Sequence, residues 1–233
     1  MRGSQTPTST LFAMADRPID AASSAAAPEV ERRAAQVLDA LVGAPVSEIA
    51  ERAGIRTRPL HVHALAVRKL LELAGVWEWL TGAGISVKVV RTGSNGVPIE
   101  KMTFRNFSHD ELPREEWPTS DLRSETRRIL IVVFAGEQRG VPVEFNVLVD
   151  YFFWSPDSDE DRRIESGWSR CREAVAYRAT PPKEADRLAV HVATKGRDSS
   201  DLEESASGAT FKKECLAFDK EFVAELLGKY GQR

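Results

Sequence analysis

Apolar positions along the chain follow two periodicities. Between residues 30 and 74 they recur at helical spacing. Val30, Ala34, Val37, Leu38 and Leu41 share one face, and Leu65, Leu70, Leu71 and Ala74 share another. Pro28 stands where a first helix opens, because a proline at the first helical position gives up an amide that has no partner anyway. Gly43 ends that helix. Ser47 caps a short second helix, Glu48 to Ala53, stopped by Gly54. A third runs from about Pro59 to Ala74, closed by Gly75, and these three helices precede the first strand.

Past residue 84 the period drops to two. In Gly84-Ile85-Ser86-Val87-Lys88-Val89 the apolar side chains Ile85, Val87 and Val89 take one face, and Ser86 and Lys88 the other. This strand is expected over Ser86–Thr92, and a hairpin-like turn at Gly93-Ser94-Asn95-Gly96 leads to another over Glu100–Phe107. Leu122–Arg128 begins helical and polar. Ile129-Leu130-Ile131-Val132-Val133-Phe134 is continuously apolar and rich in β-branched residues, the mark of a strand buried on both faces. Gly136–Gly140 is a turn, and Val143–Phe153 supplies a further strand. Asp157–Tyr177 reads as a helix whose acidic first turn (Asp157, Asp159, Glu160, Asp161) matches the helix dipole. A short strand at Leu188–Val192, a polar loop at Thr194–Gly208, a strand edge at Phe211–Lys213 and a last helix at Phe218–Leu227 complete the pattern. Helices and strands mixed around a central sheet predict an α/β or α+β fold. There is no internal repeat.

Composition narrows this picture. With 233 residues, 42% of them hydrophobic, the chain can fill one large core. Residues 1–27 are rich in Ser, Thr and Ala and have little to bury. They are expected to be a disordered tail ahead of a single domain, 28–233. Leu11-Phe12-Ala13-Met14 is too short for a signal-peptide core, and Met14 offers an alternative start. The net charge of −3 means that any nucleic-acid surface must concentrate its positive charge locally. Lys195 and Arg197, then Lys212 and Lys213, form two such basic groups, with Arg123, Arg127 and Arg128 elsewhere; each group also reads simply as a solvated face. Cys171 and Cys215 have neither metal spacing nor a nearby histidine, so they are expected to be reduced core thiols of a cytoplasmic protein. No apolar run approaches a membrane span. His61 and His63 fall within a helical pattern that separates them, which argues against a shared metal.

Candidate chemistry centres on Lys88. Many metal-dependent nucleases place an acid, one residue, then a lysine on a strand: the carboxylate holds Mg²⁺ and the lysine faces the attacking water or the scissile phosphate. Here the acid position is Ser86. Without further context, Lys88 reads as an ordinary edge lysine. Glu72 at a helix end reads as a solvated residue, and Trp77 and Trp79 as core or a docking face.

Several blocks resemble one family, the mismatch-repair endonuclease MutH and the related restriction enzymes that cut at GATC. They are Val37 to Ala53, Trp117-Pro118-Thr119-Ser120-Asp121-Leu122-Arg123 leading into Ile129–Phe134, Phe153-Trp154-Ser155-Pro156 with Asp157–Asp161, Arg162 and Trp168, and Val192-Ala193-Thr194-Lys195-Gly196 followed by Thr210-Phe211-Lys212-Lys213. They occur in family order across about residues 29–227. The resemblance implies a restriction-endonuclease-like core with a central mixed sheet, two lobes around a cleft for double-stranded DNA, and Mg²⁺-dependent phosphodiester hydrolysis. It matches Lys88 to the catalytic lysine, with Ser86 in place of the glutamate, and Glu72 to the glutamate of the preceding helix. Trp79 stands near the first metal aspartate, with Glu78 beside it, so Glu72 and Glu78 are the expected Mg²⁺ ligands. Glu125 stands where the family has a further lysine. Lys195 and Gly196 match the recognition loop, flanked by Thr194 and Arg197, and Lys212, Lys213 and Arg123 are the further expected DNA contacts. The family's recognition arginine falls nearer Ala193 and its adenine-contacting aromatic nearer Thr210, so GATC specificity is not expected to carry over. Three functions follow: an endonuclease that is weak or needs a protein partner, a DNA-binding or regulatory homologue without the metal site, and a helix-turn-helix transcription factor built on Val46–Ile55 and the following helix, with Ser86–Thr103 as its wing.

Overall fold

A computed structural model describes residues 22–56, 61–137, 142–195, 202–204, 208 and 210–231, with only the backbone described for 22–27 and 203. Its centre is the apolar run. β3 (Ile129–Glu137) pairs in parallel with β1 (Ser86–Gly93), bringing Lys88 opposite Ile131, and antiparallel with β4 (Val147–Trp154). As its composition requires, β3 is covered on both sides. Ile129, Ile131 and Val133 enter one hydrophobic cluster, and Leu130, Val132 and Phe134 enter another. All but Val133 of these six are fully buried. At about 1.5–3 kcal/mol for each large aliphatic or aromatic side chain removed from water, this strand is the chief hydrophobic anchor of the domain.

The second cluster is closed by α1 (Ala22–Asp39), α2 (Val46–Arg52), α3 (Val62–Leu73) and α4 (Trp77–Gly82). α1 starts at Ala22, six residues before the expected opening at Pro28. The alanine- and serine-rich stretch ahead of the proline has enough helix propensity to extend it, so Pro28 lies inside the helix. Residues 1–21 of the expected tail lie outside the described residues, as do 57–60 at the start of the third expected helix. α4 was not expected. Gly75, at φ +67°, ends α3, and Leu80 then buries completely to seat a further short helix before Gly84, at φ +70°, turns the chain into β1.

The first cluster lies on the Lys88 side of the sheet. α6 (Ser158–Ala176) and α7 (Lys220–Tyr230) pack there with a second, antiparallel sheet in the order β2–β8–β5 (Met102–Asn106, Glu214–Phe218, Val190–Thr194). The turn after β1 forms, with Ile99 N donating to Arg91 O, but it does not make the expected hairpin: β2 leaves to pair with β8, because Met102 and Phe104 bury against Phe218. β8 itself replaces the start of the expected last helix. Asp219 caps that helix instead, accepting from the Glu221 amide, so Phe218 stays extended. The 143–153 segment is strand only from Val147, after a 3₁₀ turn at Val143–Phe145. Within the expected polar loop, β6 (Leu202–Glu204) pairs with β7 (Thr210–Lys212).

The Trp154-Ser155-Pro156 block with its acidic run is a structural joint. Asp157 caps α6 in a capping box with Glu160. Glu160, only 5% exposed, also accepts from Trp154 Nε1 at 3.1 Å and from Lys229 Nζ at 3.0 Å, and Tyr230 OH reaches it, so β4, α6 and α7 are fastened at one carboxylate. Both cysteines are free and buried. The winged helix-turn-helix reading does not hold, because Ser86–Gly93 is paired along its length with the central strand and is no exposed wing.

Candidate active site and nucleic-acid interface

Lys88 and Ser86 share the β1 face that carries Val90 into the first cluster, as the alternation requires. The Lys88 ammonium is placed by three groups. It donates to Thr103 O of β2 at 2.9 Å and to Glu125 Oε2 at 3.3 Å, and it lies 4.4 Å from the centre of the Phe104 ring. Glu125 comes from α5 (Asp121–Thr126), whose first turn is capped by Ser120 accepting from the Arg123 amide. Its other oxygen accepts from the Arg105 amide at 3.2 Å and lies 3.1 Å from Arg105 Nε. The Lys88 and Glu125 side chains are 17% and 9% exposed, so the pair is largely shielded from water. Burial lowers the Lys88 pKa; Glu125 opposes that shift and the nearby Lys195 adds to it.

Lys195 joins the same cluster. Its ammonium donates to Phe104 O at 2.7 Å, one residue along β2 from the carbonyl that receives Lys88. The fold therefore brings together the expected catalytic lysine and one expected DNA-binding lysine. Beside them, burial raises the Cys215 pKa, against the opposing pull of Lys195, Lys101 and Lys88.

The expected metal ligands lie in other settings. Glu72, on α3, is engaged by Arg68 Nε at 2.7 Å and Lys69 Nζ at 3.0 Å, and these two bonds hold its carboxyl below the usual range. Glu78 is exposed in the first turn of α4. Among the described residues no group of three or more His, Cys, Asp or Glu side chains is gathered to hold a metal ion. Around Lys88 the donors are one carboxylate, already committed to Lys88 and Arg105, and the Ser86 hydroxyl. Mg²⁺ demands near-octahedral oxygen donors and is usually held by one or two free carboxylates with phosphate and water; the residues as arranged do not fit it.

Of the remaining expected DNA contacts, Thr194 is exposed at the end of β5, opposite Glu214. Lys212 is exposed on β7, and Lys213 O accepts from the Lys195 amide at 2.9 Å. Arg123 pairs with Asp161 at 3.2 Å and sits 5.5 Å over the Trp117 ring, away from the lysine cluster's hydrogen bonds. Gly196 and Arg197 lie outside the described residues. Glu125 and Arg105 join the site as partners that no local motif marks. The signal for Glu125 was its charge, a carboxylate where the resemblance calls for a lysine.

A mixed sheet flanked by helices, with a lysine on the face of its parallel edge strand that meets the second sheet, is consistent with an α/β restriction-endonuclease-like core. No family model matches the chain. It is similar to the DNA mismatch repair protein MutH of Vibrio parahaemolyticus serotype O3:K6, 28% identical over 94 residues, which is 40% of this chain and 41% of that protein. MutH of Escherichia coli O17:K52:H18 is 26% identical over 94 residues, with the same shares covered. MutH of E. coli strain K12 / DH10B is 25% identical over 92 residues, 40% of each chain. The chain thus spans about two-fifths of the length of the curated relatives it matches, and the similarity supports a MutH-like relationship at that level. No helix among the described residues is long and apolar enough to cross a membrane.

Proposed function

We propose that this chain binds double-stranded DNA as a relative of the MutH-type endonucleases, and that in the arrangement described here Lys88 holds structure and charge in place of cleaving. The observation that carries this reading is the Lys88–Glu125 pair. A lysine that activates water or steadies a scissile phosphate has to present its ammonium to them. Here it is committed to a carboxylate and a carbonyl, beside a serine where the metal glutamate would stand. The positive groups that remain exposed, Lys195, Lys212 and Arg105, supply the phosphate contacts. Gel shifts with a duplex at several salt concentrations test binding, and a fall in affinity with rising salt is expected. Supercoiled plasmid incubated with Mg²⁺ or Mn²⁺ tests cleavage, and no nicking is expected from the wild type.

The second reading is Mg²⁺-dependent hydrolysis of duplex DNA, weak or dependent on a protein partner. It is favoured by Lys88 and Ser86 sharing one face of β1 with a carboxylate, Glu125, within reach. In this reading Lys88 is catalytic and Ser86 lends a neutral oxygen, while Glu72 and Glu78, on helices that close the other cluster, would have to leave those settings to hold the ion. Nicking by the wild type that disappears in Lys88→Ala would replace the first reading with this one. Calorimetry that detects no Mg²⁺ binding, with or without DNA, would remove the Glu72–Glu78 site. A GATC-containing and a GATC-free duplex would separate inherited from altered specificity, and equal binding is expected.

A further inference from the structure

The ribbon β6–β7 stands apart from both larger sheets: among the described residues its two strands pair only with each other. Two strands alone are marginally stable in water and need another contact to stay in one place. Its root continues the β5–β8 ladder through the Lys195 amide and Lys213 O. A second contact comes from the segment after β2. The Phe107 amide donates to Glu214 O at 3.2 Å, and two residues later the His109 ring stacks on Phe211 of β7, with centroids 4.1 Å apart and planes 13° from parallel. The Phe107 ring lies 5.2 Å from His109 at a tilt of 57°, and His109 Nε2 lies 3.3 Å from Glu214 Oε2. The His109 side chain is 16% exposed. Along β7 the residues alternate exposed, half-buried, exposed, so the stack turns Phe211 inward and leaves Thr210 and Lys212 facing out.

We propose that His109 is a positioning residue for DNA binding: its stack on Phe211 latches the β6–β7 ribbon to the body and so fixes where Lys212 meets the phosphate backbone. This rests on the DNA-binding reading above. A ring at 109 is what the latch uses. The chemistry matches, because a planar imidazole stacked over a phenyl face holds the ribbon's angle. A lysine on a ribbon that swings loses part of its phosphate contact, because an ordered side chain at the right place is what releases a counterion on binding.

The test uses the full chain with His109→Ala, which removes the ring, and His109→Phe, which keeps a stacking ring without the imidazole nitrogens. Amide hydrogen exchange of the free protein reads the latch. His109→Ala is expected to speed exchange in β6 and β7 by about three- to tenfold while β3 is unchanged, and His109→Phe to restore protection. Gel shifts read the consequence. His109→Ala is expected to weaken duplex binding by about three- to tenfold and to lower the slope of log affinity against log salt by about one, with His109→Phe close to wild type. Unchanged exchange in His109→Ala overturns the latch. Faster exchange with unchanged affinity and slope overturns the positioning role. If the wild type binds no duplex at any salt concentration, the DNA reading falls and the positioning role with it, while the exchange experiment still decides whether the latch exists.

Discussion

Lys88 and Glu125 meet at 3.3 Å, 37 residues apart in the chain, and the carboxylate occupies the position where the MutH resemblance calls for a second lysine. The departures already visible in the sequence, Glu125 for a lysine and Ser86 for a glutamate, come together as a cation facing its own internal anion. In the proposed DNA-binding reading, that exchange would govern how the cluster meets a phosphate, because the Lys88 charge is balanced within the fold.

Glu125→Gln removes the internal anion. Lys88 then keeps its carbonyl but loses its counter-charge in a shielded place, which is expected to destabilise the protein by about 1–2 kcal/mol, less than for a fully buried pair because 17% of Lys88 remains exposed. The freed ammonium is also expected to raise duplex affinity and to steepen the salt dependence by about one unit of slope. Urea denaturation and salt-dependent gel shifts on the same variant measure both. Lower stability together with unchanged binding would show that phosphate does not reach Lys88.

Ser86→Glu tests the argument that the site lacks donors for Mg²⁺. It places a second carboxylate on the Lys88 face of β1, two residues from Lys88. Calorimetric titration is expected to be flat for the wild type and to show Mg²⁺ binding for the variant. Binding by the wild type would refute the donor count.

Glu160 fastens β4, α6 and α7 through Trp154, the Asp157 amide, Lys229 and Tyr230. Replacing it by alanine orphans a buried indole N–H and the capping box, for an expected loss of about 2–4 kcal/mol. Chemical denaturation measures this, and a loss under about 1 kcal/mol would show that the joint is redundant. Asp157 lies at the same joint, where its hydrogen bond from the Glu160 amide and its bond to Lys229 hold its carboxyl down at about 2. Its contribution is present above pH 3.8 and fades as the pH falls toward 2, and Asp157→Asn is expected to flatten that window.

His63, with the likewise buried His191, is expected to give stability its pH dependence nearer neutrality. It is 3% exposed and packs edge-on against Phe134 at 4.9 Å, and burial pushes its pKa down to about 4. The unfolded chain takes up its proton near pH 6.5 and the folded chain only near 4. Its contribution is therefore complete above pH 6.5 and lost as the pH falls from 6.5 to 4, about 2–4 kcal/mol in all. Unfolding free energies across that range are expected to lose most of this slope in His63→Phe.

Local pattern settled what depends on neighbours in the chain. The six-residue apolar run had to be a covered central strand, the alternation at 85–89 had to put Ser86 and Lys88 on one face, and the acidic turn at 157–161 had to open a helix; each is so. Periodicity was silent on partners. The glycine turn at 93–96 suggested a hairpin, yet β2 crosses to β8, because hydrogen bonds in a sheet are satisfied by any strand and the choice falls to whichever pairing buries Met102 and Phe104. α4 is too short to show a helical period and exists because Leu80 needs a core. The meaning of Lys88 was likewise decided at a distance. A side chain's charge state and reach are set by what lies within a few ångströms, and only the packing of α5, β2 and the end of β5 brings Glu125, Thr103 and Lys195 into its cluster.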